Sequence, residues 1–383
     1  MPHEQKILIT SFGRGNGISG SEKQAIKLVE KLQERGCWFF LLSDNEDFVR
    51  EFADRHWFGR GFWLGEGSQT IFLILYVFSL LSALYALAYF RIARGVRKIY
   101  CLTLPDKLIM TPVAKLLGYE VFWQESKSMI SLVNKPVYLF FYKFAARFAR
   151  IIASFGYIQK ELVGIDCINP ENHLRIIHPG VDLESYKKQS DIFDAMASRN
   201  LLFEEKANFK IGCVSDLENN FGVEYLIKAM LILNEKTNNF KLTIVGDGAQ
   251  RENMLWLIKE FKMEDKIKIA GYDGDILDWI FGFDALVSPG VNETDELTLI
   301  EAMACEVPAV ATEAGGNREI IDNEKCGFIV ESANSQALAD AILKLMNDRS
   351  LTERLAKAGK EKAERFHSME RMVGDYHDTF SSM

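Results

Sequence analysis

The sequence predicts an α/β protein with two Rossmann-like domains, each a doubly wound parallel sheet, that face a central cleft. Short apolar runs typical of buried strands alternate with helical segments along nearly the whole chain, which favours parallel sheets covered on both faces. The alternation restarts after the segment HPGVD at residues 178–182, and 383 residues are enough for two domains. We therefore assign residues 1–180 to an N-terminal domain and 181–365 to a C-terminal domain. Residues 366–383 are expected to form a helix that packs back on the N-terminal domain.

The first domain is predicted from a series of short apolar runs. The predicted strands are residues 6–11, 37–42, 98–102, 120–123, 151–154 and 175–177. After the first strand, Ala25, Val29 and Leu32 recur at helical spacing, and another helix is expected over residues 107–117. Strand followed by helix is the repeating unit of a doubly wound sheet.

The second domain repeats this pattern. Its predicted strands are residues 209–214, 241–245, 266–270, 285–288, 309–311 and 327–330. Helices are expected over residues 223–234 and 251–261, and a helical tail begins near Ser335. In sheets of this kind ligands bind outside the carboxyl ends of the strands, so a functional site is expected in the segments that follow strands.

The composition excludes several classes of protein. A net charge of −8 argues against nucleic acid as a partner. The six cysteines are dispersed, with no C-x-x-C pair and no metal-ligand spacing, which indicates reduced thiols in a cytoplasmic protein. The N-terminal segment MPHEQKILIT has no signal-peptide pattern. The first domain is mildly basic and the second is acidic, which indicates different surroundings for the two.

An uncharged segment in the first domain raises the question of membrane contact. Residues 71–90 form an apolar stretch that is long enough to cross a bilayer. Spanning conflicts with the fold, because the predicted strands 6–11 and 98–102 should share one sheet. Two alternatives remain, a helix buried in the domain and a helix that lies in the membrane interface.

The side chains around this segment favour peripheral association with the inner face of the cell membrane. Aromatic and basic side chains anchor proteins at lipid headgroups. The aromatic residues are Trp57, Phe58, Phe62 and Trp63, and the basic residues are Arg91, Arg94, Arg97, Lys98, Lys143, Arg147 and Arg150. A membrane surface is therefore a predicted partner, with the buried helix as the alternative.

Glycine-rich turns follow three of the predicted strands. GRGNGISGSEK contains Gly17 and Gly20, VGDGAQRE contains Gly246 and Gly248, and ATEAGGNREII is the third. Glycines at such places let the backbone approach a phosphate, and the helix that follows supplies free N–H groups. The first turn lacks a complete dinucleotide fingerprint, and a tight turn without a ligand is the alternative.

The segment NETDELTLIEAM at residues 292–303 carries four carboxylates, those of Glu293, Asp295, Glu296 and Glu301. They could bind a metal, form an acid/base pair, bind sugar hydroxyls or coat a solvated surface. No histidine lies near, and the D-G-D sequence in the preceding turn is an isolated match, so no metal site is predicted. Asp295 and Glu296 are interpreted as solvated loop charges.

Taken together and in this order, the motifs resemble the retaining GT-B glycosyltransferases of glycosyltransferase family 4, the group 1 glycosyl transferases. The matching segments are GISGSEK, RIIHPGVDLESY, FGVEYLIKA, LTIVGDGAQRE, KIAGY, the E-x7-E pair of Glu293 and Glu301, EAMACEVPAVATEAGGNREII and CGFIV. The resemblance covers nearly the whole chain. It implies the GT-B fold and a metal-independent enzyme of polysaccharide biosynthesis without a cofactor. Such an enzyme transfers a sugar from a nucleotide-sugar donor to a glycan or lipid-linked acceptor.

The same resemblance implies which residues bind the donor. Glu301 would accept hydrogen bonds from the ribose hydroxyls, a role that suits an acceptor-only carboxylate, and Glu293 would act catalytically beside the donor sugar. The further donor-binding positions are Gly17, Gly20, Ser215, Gly246, Gly248, Tyr272, Thr294, Glu296, Leu297 and Arg318. For Glu301, a helix-face carboxylate stabilised by the helix dipole is the alternative.

Several positions depart from the family pattern, among them the start of the acidic motif, which reads E-T-D-E instead of E-G-F-G, and Glu306, which replaces a Gly. In the loop VSDLENNFGVEYL, Asp216 stands where the family carries an Arg and Phe221 where it carries a Lys. Such cations stabilise the departing diphosphate, which an Asp would repel. Either another cation among Arg14, Lys228 and Arg318 supplies the charge, or turnover is slow, or the chain is a catalytically impaired binding or scaffold protein. A sugar-nucleotide epimerase is a third hypothesis.

On the acceptor side, the segment VFWQESKSMI follows a predicted strand of the first domain. Glu125 is the candidate general base there, with an ordinary strand-end charge as the alternative, and Gln124 is its neighbour. His178 is interpreted as a structural residue at the domain junction rather than as a catalyst.

Overall fold

The computed structural model describes residues 5–12, 20–53, 58–60, 69–126, 128, 136–167, 174–187, 209–271 and 276–382. The chain divides into two units. The first consists of Met1–His178 together with Val373–Met383, and the second of Pro179–Met372. Each unit contains one parallel sheet with helices packed against it, so the predicted fold class is confirmed.

The first unit contains a seven-stranded parallel sheet. Its strands are β1 (Gln5–Ser11), β2 (Cys37–Ser43), β3 (Phe58–Arg60), β4 (Lys98–Cys101), β5 (Glu120–Glu125), β6 (Ala149–Ala153) and β7 (Leu174–Ile176). In space the order is β3-β2-β1-β4-β5-β6-β7. The order changes direction between β1 and β4, and the carboxyl ends of the strands at such a switch point are where ligands bind.

The helices of the first unit cover the sheet and supply half of its core. They are α1 (Gly20–Glu34), α2 (Glu46–Ala53), α3 (Gln69–Arg94), α4 (Leu104–Leu116), α5 (Pro136–Ala146) and α6 (Gly156–Gly164). Leu8, Ile99 and Trp123 from the strands are fully buried in one cluster with Leu108 from α4. Phe58, interpreted from the sequence as a membrane anchor, lies in β3, which pairs with β2.

Helix α3 contains the apolar segment and is apolar on two faces. Tyr76 and Leu87 are buried in the core, and the Tyr76 hydroxyl donates to the carbonyl oxygen of Leu108 at 3.0 Å. Phe78 and Tyr85 lie on the opposite face and are 68% and 79% exposed. Within the described residues, no helix combines the length and the apolar character needed to cross a bilayer.

Three of the basic side chains that were predicted to contact lipid headgroups form hydrogen bonds within the first unit. Arg91, Lys98 and Arg150 each donate a hydrogen bond to a backbone carbonyl group. Arg97 and Arg147 are exposed. The predicted anchors Trp57, Phe62 and Trp63 lie outside the described residues.

The second unit contains a six-stranded parallel sheet. Its strands are β8 (Phe209–Val214), β9 (Phe240–Val245), β10 (Ile267–Ala270), β11 (Ala285–Ser288), β12 (Ala309–Thr312) and β13 (Phe328–Val330). Their order in space is β10-β9-β8-β11-β12-β13, so the switch point lies between β8 and β11. The segment 292–303 directly follows β11 and therefore lies at this switch point.

The remaining helices follow in the chain of the second unit, and the last of them, α14, continues into the first unit. They are α7 (Val223–Lys236), α8 (Arg251–Glu260), α9 (Ile276–Ile280), α10 (Glu296–Ala304), α11 (Asn317–Ile320), α12 (Ser335–Asn347), α13 (Arg349–Phe366) and α14 (Met369–Ser381). Leu226 and Met230 of α7 and Leu338 and Ile342 of α12 are fully buried against the strands. Burial of these side chains makes α7 and α12 the main apolar cover of this sheet.

The end of α14 belongs to the first unit because its aromatic side chains are buried there. The Phe380 ring is fully buried, with its centroid 5.0 Å from that of Phe122 and 5.5 Å from that of Tyr100. The Tyr376 hydroxyl donates to Oε1 of Gln124 at the end of β5. The C-terminal segment is therefore part of the first core.

We expect Phe380→Ala to lower the free energy of unfolding of the first unit by about 3–5 kcal/mol, because it leaves a cavity among three aromatic rings. Phe366→Ala is the matched control, since the Phe366 side chain is 45% exposed and its loss should cost less than about 1 kcal/mol. Urea unfolding followed by aromatic circular dichroism measures both. Equal effects of the two substitutions would contradict the assignment of the tail to the core.

Candidate functional site

Two loops meet at the switch point of the second sheet. One follows β8 over residues 215–222, and the other follows β11 over residues 289–295. The carbonyl oxygen of Asn220 accepts hydrogen bonds from the backbone N–H groups of residues 291–293, at 3.0, 3.3 and 3.4 Å. These hydrogen bonds fix the backbone of Glu293 to the first loop. The position from which its half-buried side chain projects is fixed as a result.

The turn after β9 packs directly on the first of these loops. A Cβ at Gly246 would lie 1.9 Å from the carbonyl oxygen of Ser215, and one at Gly248 would lie 2.5 Å from that of Leu217. Only glycine permits so close an approach of two backbones. Ser215 is buried, and its hydroxyl donates to the carbonyl oxygen of Asp216 at 3.1 Å. The packing of this turn therefore requires glycine at positions 246 and 248, independently of any ligand.

Asp295 and Glu296 are held by backbone N–H groups at the start of α10. The Asp295 carboxylate caps the helix and accepts from the N–H of Thr298 at 3.2 Å, and Oε1 of Glu296 accepts from the N–H of Gly316 at 3.0 Å. Burial raises the pKa of both carboxyl groups, and the nearby Asp216 raises that of Asp295 further. Their interpretation as solvated loop charges is wrong, because both residues are half-buried and accept hydrogen bonds from backbone N–H groups.

The glycine turn after β12 approaches the same segment. Gly315 has a φ of +53°, and a Cβ there would lie 2.6 Å from the Thr294 hydroxyl oxygen and 2.7 Å from Oε1 of Glu296. A side chain at Gly315 would therefore be strained and would push the carboxylate away. The turn after β9 therefore meets the loop after β8 through backbone atoms, whereas the turn after β12 meets the side chains of Thr294 and Glu296.

Glu301 lies on α10, and its carboxylate is half-buried. Its Oε1 accepts a hydrogen bond from the Tyr186 hydroxyl at 3.0 Å. The sequence indicated no role for Tyr186, although the residue closes the segment RIIHPGVDLESY. No sequence pattern indicates this contact, because residues 186 and 301 are distant in the chain and meet only in the folded protein.

The cations that could neutralise a diphosphate are engaged elsewhere or lie outside the described residues. The Arg318 guanidinium forms an ion pair with Glu313 and is 63% exposed, and the Lys228 ammonium lies 5.2 Å from the centre of the Tyr225 ring. Three predicted residues, Arg14, Gly17 and Tyr272, lie outside the described residues. Gly20 is the first residue of α1, and Leu297 is half-buried in the first turn of α10.

No group of three or more His, Cys, Asp or Glu side chains in the described part of the chain is arranged to hold a metal ion. The D-G-D segment falls outside that part. Independence from metal ions stays a prediction.

Glu125 lies at the end of β5 in the first unit and is enclosed by polar partners. Its Oε1 accepts from the Lys107 ammonium at 2.9 Å and from the Tyr142 hydroxyl at 2.8 Å. The side chains of Lys107 and Glu125 are 5% and 2% exposed, so this ion pair is buried. A general base must reach its substrate, and this carboxylate is directed into the protein. The assignment as general base stays a prediction, and the contacts favour a structural role.

The neighbours of Glu125 also form closed hydrogen bonds. Gln124 accepts from the Tyr100 hydroxyl at 2.7 Å and donates to the Ser154 hydroxyl at 3.0 Å. The Nδ1 atom of His178 lies 3.0 Å from the carbonyl oxygen of Ser154, with its ring beside Phe155. These contacts agree with the structural interpretation of His178.

A carboxylate that the sequence did not single out lies at the switch point of the first sheet. Asp106 is fully buried and accepts from the Thr10 hydroxyl at 2.7 Å and from the N–H groups of Leu102 and Thr103 at 2.9 and 2.8 Å. Burial raises the pKa of Asp106 to about 7, against the lowering effect of these donors and of Lys107. Asp106 thereby ties the end of β1 to the loop that follows β4.

The fold and the site first define a class. Doubly wound parallel sheets with glycine-rich turns at the carboxyl ends of their strands are the Rossmann type of architecture. Both units have such sheets, and the second collects its glycine turns and carboxylates at the switch point. The chain is therefore a protein of two Rossmann-like domains.

Comparison with known proteins narrows the class. Residues 194–362 match the family model of the glycosyl transferases group 1. The N-acetyl-alpha-D-glucosaminyl L-malate synthase of Bacillus anthracis is 31% identical over 137 residues, 36% of each chain. The capsular polysaccharide biosynthesis glycosyltransferase CapM of Staphylococcus aureus is 29% identical over 162 residues, which are 41% of this chain and 42% of that one.

A third relative is a Campylobacter jejuni enzyme, an N-acetylgalactosaminyltransferase whose name specifies a diphospho-undecaprenol-linked saccharide as its acceptor. It is 27% identical over 205 residues, which are 53% of this chain and 51% of that one. The chain spans about half the length, or less, of the curated relatives it matches.

Solved structures resemble the chain over its whole length. A glycosyltransferase from Rickettsia africae has a TM-score of 0.79 at 18% identity, over 99% of this chain and 98% of that one. HepE of Anabaena in complex with UDP has a TM-score of 0.80 at 18% identity, over 99% and 100%. At this identity the likeness shows the fold, which is GT-B.

We expect the stability of the first unit to depend on the ionisation of Asp106. The pKa of this carboxyl rises from 3.8 to about 7 on folding, so between these pH values the folded chain binds one proton more than the unfolded chain. The contribution of Asp106 to the free energy of unfolding therefore falls by on the order of 4 kcal/mol as the pH rises from about 4 to about 7. Above about pH 7 it is constant. Urea unfolding at pH 4.5 to 8 measures the slope.

Asp106→Asn should remove this slope, because the amide stays neutral at every pH. Asp47→Asn is the matched control, since Asp47 is an exposed residue of α2 in the same unit. An unchanged slope in the Asp106→Asn variant would show that another group causes it.

Proposed function

We propose that the chain is a retaining glycosyltransferase that uses a nucleotide sugar as donor, a glycan or lipid-linked saccharide as acceptor, and no metal ion or cofactor. The observation that carries the proposal is the E-x7-E pair, Glu293 and Glu301, at the switch point of a domain that matches a glycosyl transferase family. HepE, a protein of the same fold, was solved with UDP, which supports a nucleoside diphosphate as the leaving group here.

The two glutamates suit different parts of such a donor. Glu301 projects from a helix that is buried on its other side, and a carboxylate can accept from two ribose hydroxyls at once. The backbone of Glu293 is fixed by its hydrogen bond to the carbonyl oxygen of Asn220. We propose that its carboxylate contacts the donor sugar near the reacting carbon. The loop that carries it is fixed before any ligand arrives, which lowers the entropy cost of binding.

The diphosphate is the part of the donor that this site suits least. Asp216 is exposed in the loop after β8, and Asp295 and Glu296 lie nearby at the start of α10. The ion pair of Arg318 with Glu313 and the position of Lys228 over a tyrosine ring favour a second candidate function, a nucleotide-binding homologue with impaired turnover. In both cases the same nucleoside site is occupied.

A membrane-bound acceptor is supported by the first unit. Besides Phe78 and Tyr85 of α3, Phe140 and Phe144 of α5 are 68% and 48% exposed. The two helices touch, since the rings of Tyr76 and Phe141 lie 4.9 Å apart. Exposed aromatic side chains in neighbouring helices favour insertion at the level of lipid headgroups, as does the exposed Arg147.

This surface accords with the Campylobacter jejuni relative, whose name specifies an acceptor linked to undecaprenol through a diphosphate. We propose that the chain works at the cytoplasmic face of the cell membrane on an acceptor of this lipid-linked kind. A water-soluble glycan is the alternative acceptor.

We expect Glu301→Ala to weaken the binding of nucleoside diphosphates roughly 10- to 100-fold, because hydrogen bonds to a charged acceptor are lost. Calorimetric titration with UDP, ADP, GDP and CDP measures the change. The matched control is Glu306→Ala, a surface residue whose ion pair with Lys360 is exposed, and it should leave binding unchanged. Unaltered affinity in the Glu301→Ala variant would exclude this residue as the ribose ligand.

The same titration separates the two candidate functions when it is combined with turnover of the nucleotide sugar. Binding with measurable turnover supports the transferase, and binding without turnover supports the impaired homologue. Absence of binding to every diphosphate would exclude the transferase and the nucleotide-binding homologue and would favour a scaffold protein.

We expect the wild-type chain to float with phosphatidylglycerol vesicles in a density gradient, and the Phe78→Ser/Tyr85→Ser variant to bind them roughly tenfold more weakly, because two apolar side chains no longer insert. Trp256→Ser is the matched control, since Trp256 is 61% exposed in the second unit. Wild-type protein that stays at the bottom of the gradient would contradict membrane association.

A further inference from the structure

We propose that Tyr186 is a positioning residue for nucleotide binding, which holds one oxygen of the Glu301 carboxylate and leaves the carboxylate oriented toward the ribose. The inference rests on the proposed function of the second unit. Its observation is the hydrogen bond of 3.0 Å between the Tyr186 hydroxyl and Oε1 of Glu301. Tyr186 is 5% exposed and Glu301 is half-buried, so the phenol side of this contact is shielded from water.

The chain around Tyr186 is anchored to the turn that follows α13. The N–H of Val181 donates to the carbonyl oxygen of His367 at 2.8 Å, and the N–H of Met369 donates back to Val181 at 2.9 Å. At Gly180 the backbones are so close that a Cβ would lie 2.6 Å from the carbonyl oxygen of Ser368. The N–H of Tyr186 then donates to the carbonyl oxygen of Asp182 at 3.2 Å, which continues this fixed path to the phenol.

Glu301 is anchored to the same helix from the other side. Helix α10 packs along α13, where a Cβ on Gly359 would be in ordinary contact with the Met303 side chain at 3.5 Å. Glu301 lies half a turn before Met303 on α10. Tyr186 and Glu301 are therefore both positioned by α13, one through its C-terminal turn and the other through its packed face.

This arrangement has a chemical consequence for the ligand. A glutamate side chain has three rotatable bonds, and a hydrogen bond from a buried phenol to one of its oxygens restricts them before binding. The ribose of a nucleoside diphosphate presents two neighbouring O–H donors, which is the complement of a fixed carboxylate. The preference for ribose over a sugar without these hydroxyls should therefore depend on Tyr186, whereas contacts to the base and the phosphates should not.

The experiment compares ribose and 2′,3′-dideoxyribose forms of the same nucleoside diphosphate. We expect Tyr186→Phe to weaken binding of UDP, ADP, GDP or CDP, whichever the wild-type chain binds, about tenfold. Binding of the matching dideoxy form should stay within about twofold of the wild type, because that ligand offers Glu301 no hydroxyl. A merely structural loss would weaken both ligands alike and leave their ratio unchanged.

Two further variants complete the comparison. Tyr119→Phe removes a buried phenol hydrogen bond of 2.7 Å to Leu87 in the first unit and should change neither affinity. Tyr186→Met removes the hydroxyl with a flexible apolar side chain, in case the phenylalanine variant does not fold. A wild-type ratio of ribose to dideoxyribose affinity in the Tyr186 variants overturns the role of Tyr186. Absence of diphosphate binding by the wild-type chain overturns the proposed function and the inference together.

Discussion

The close approach of backbones at the switch point of the second sheet is the constraint on which the rest of the site depends. Gly246, Gly248 and Gly315 each lie where a Cβ would come within 2.7 Å of a neighbouring atom. Because these positions carry no side chain, the turns after β9 and β12 can lie directly against residues 215–217 and 294–296. The carbonyl oxygen of Asn220 accepts from the N–H of Glu293, and the N–H of Gly316 donates to Glu296 at the start of α10, so main-chain groups hold these residues in place.

This construction explains why the acidic segment is stable and also why it is an unusual place for a diphosphate. Asp295 and Glu296 are stabilised by backbone N–H groups at the start of α10 and behind Gly315, which offset part of the cost of burying charge. Asp216 adds a further negative charge in the loop after β8. The local field therefore favours hydroxyl donors, as in a ribose or a sugar, more than it favours phosphate oxygens.

The first unit has the same type of fold, but it differs in the side chains at its strand ends and on its outer helices. Its switch point holds Asp106, and the neighbouring strand end holds the buried ion pair of Lys107 with Glu125. Its outer helices instead leave large aromatic side chains exposed, with Phe78 and Tyr85 on the face of α3 that does not contact the core. A polar interior at the strand ends and an apolar exterior on α3 and α5 accord with the lipid-linked acceptor that we propose.

The sequence by itself determined the two doubly wound sheets, with predicted strands that begin and end within two residues of the observed ones, because a strand buried on both faces is a continuous apolar run. It missed β3, whose three residues are too few for a pattern, and it assigned Asp295 and Glu296 to solvent. It also singled out Glu293 and Glu301, through the resemblance of the motifs to the family 4 glycosyltransferases. Only the tertiary structure decided the surroundings of these residues: the backbone caps of Asp295 and Glu296, the phenol of Tyr186 on Glu301, the enclosure of Glu125 by Lys107 and Tyr142, and the burial of Asp106. Apart from the cap of Asp295 on the nearby N–H of Thr298, these contacts join residues that are distant in the chain, and periodicity along a sequence does not show which distant residues meet.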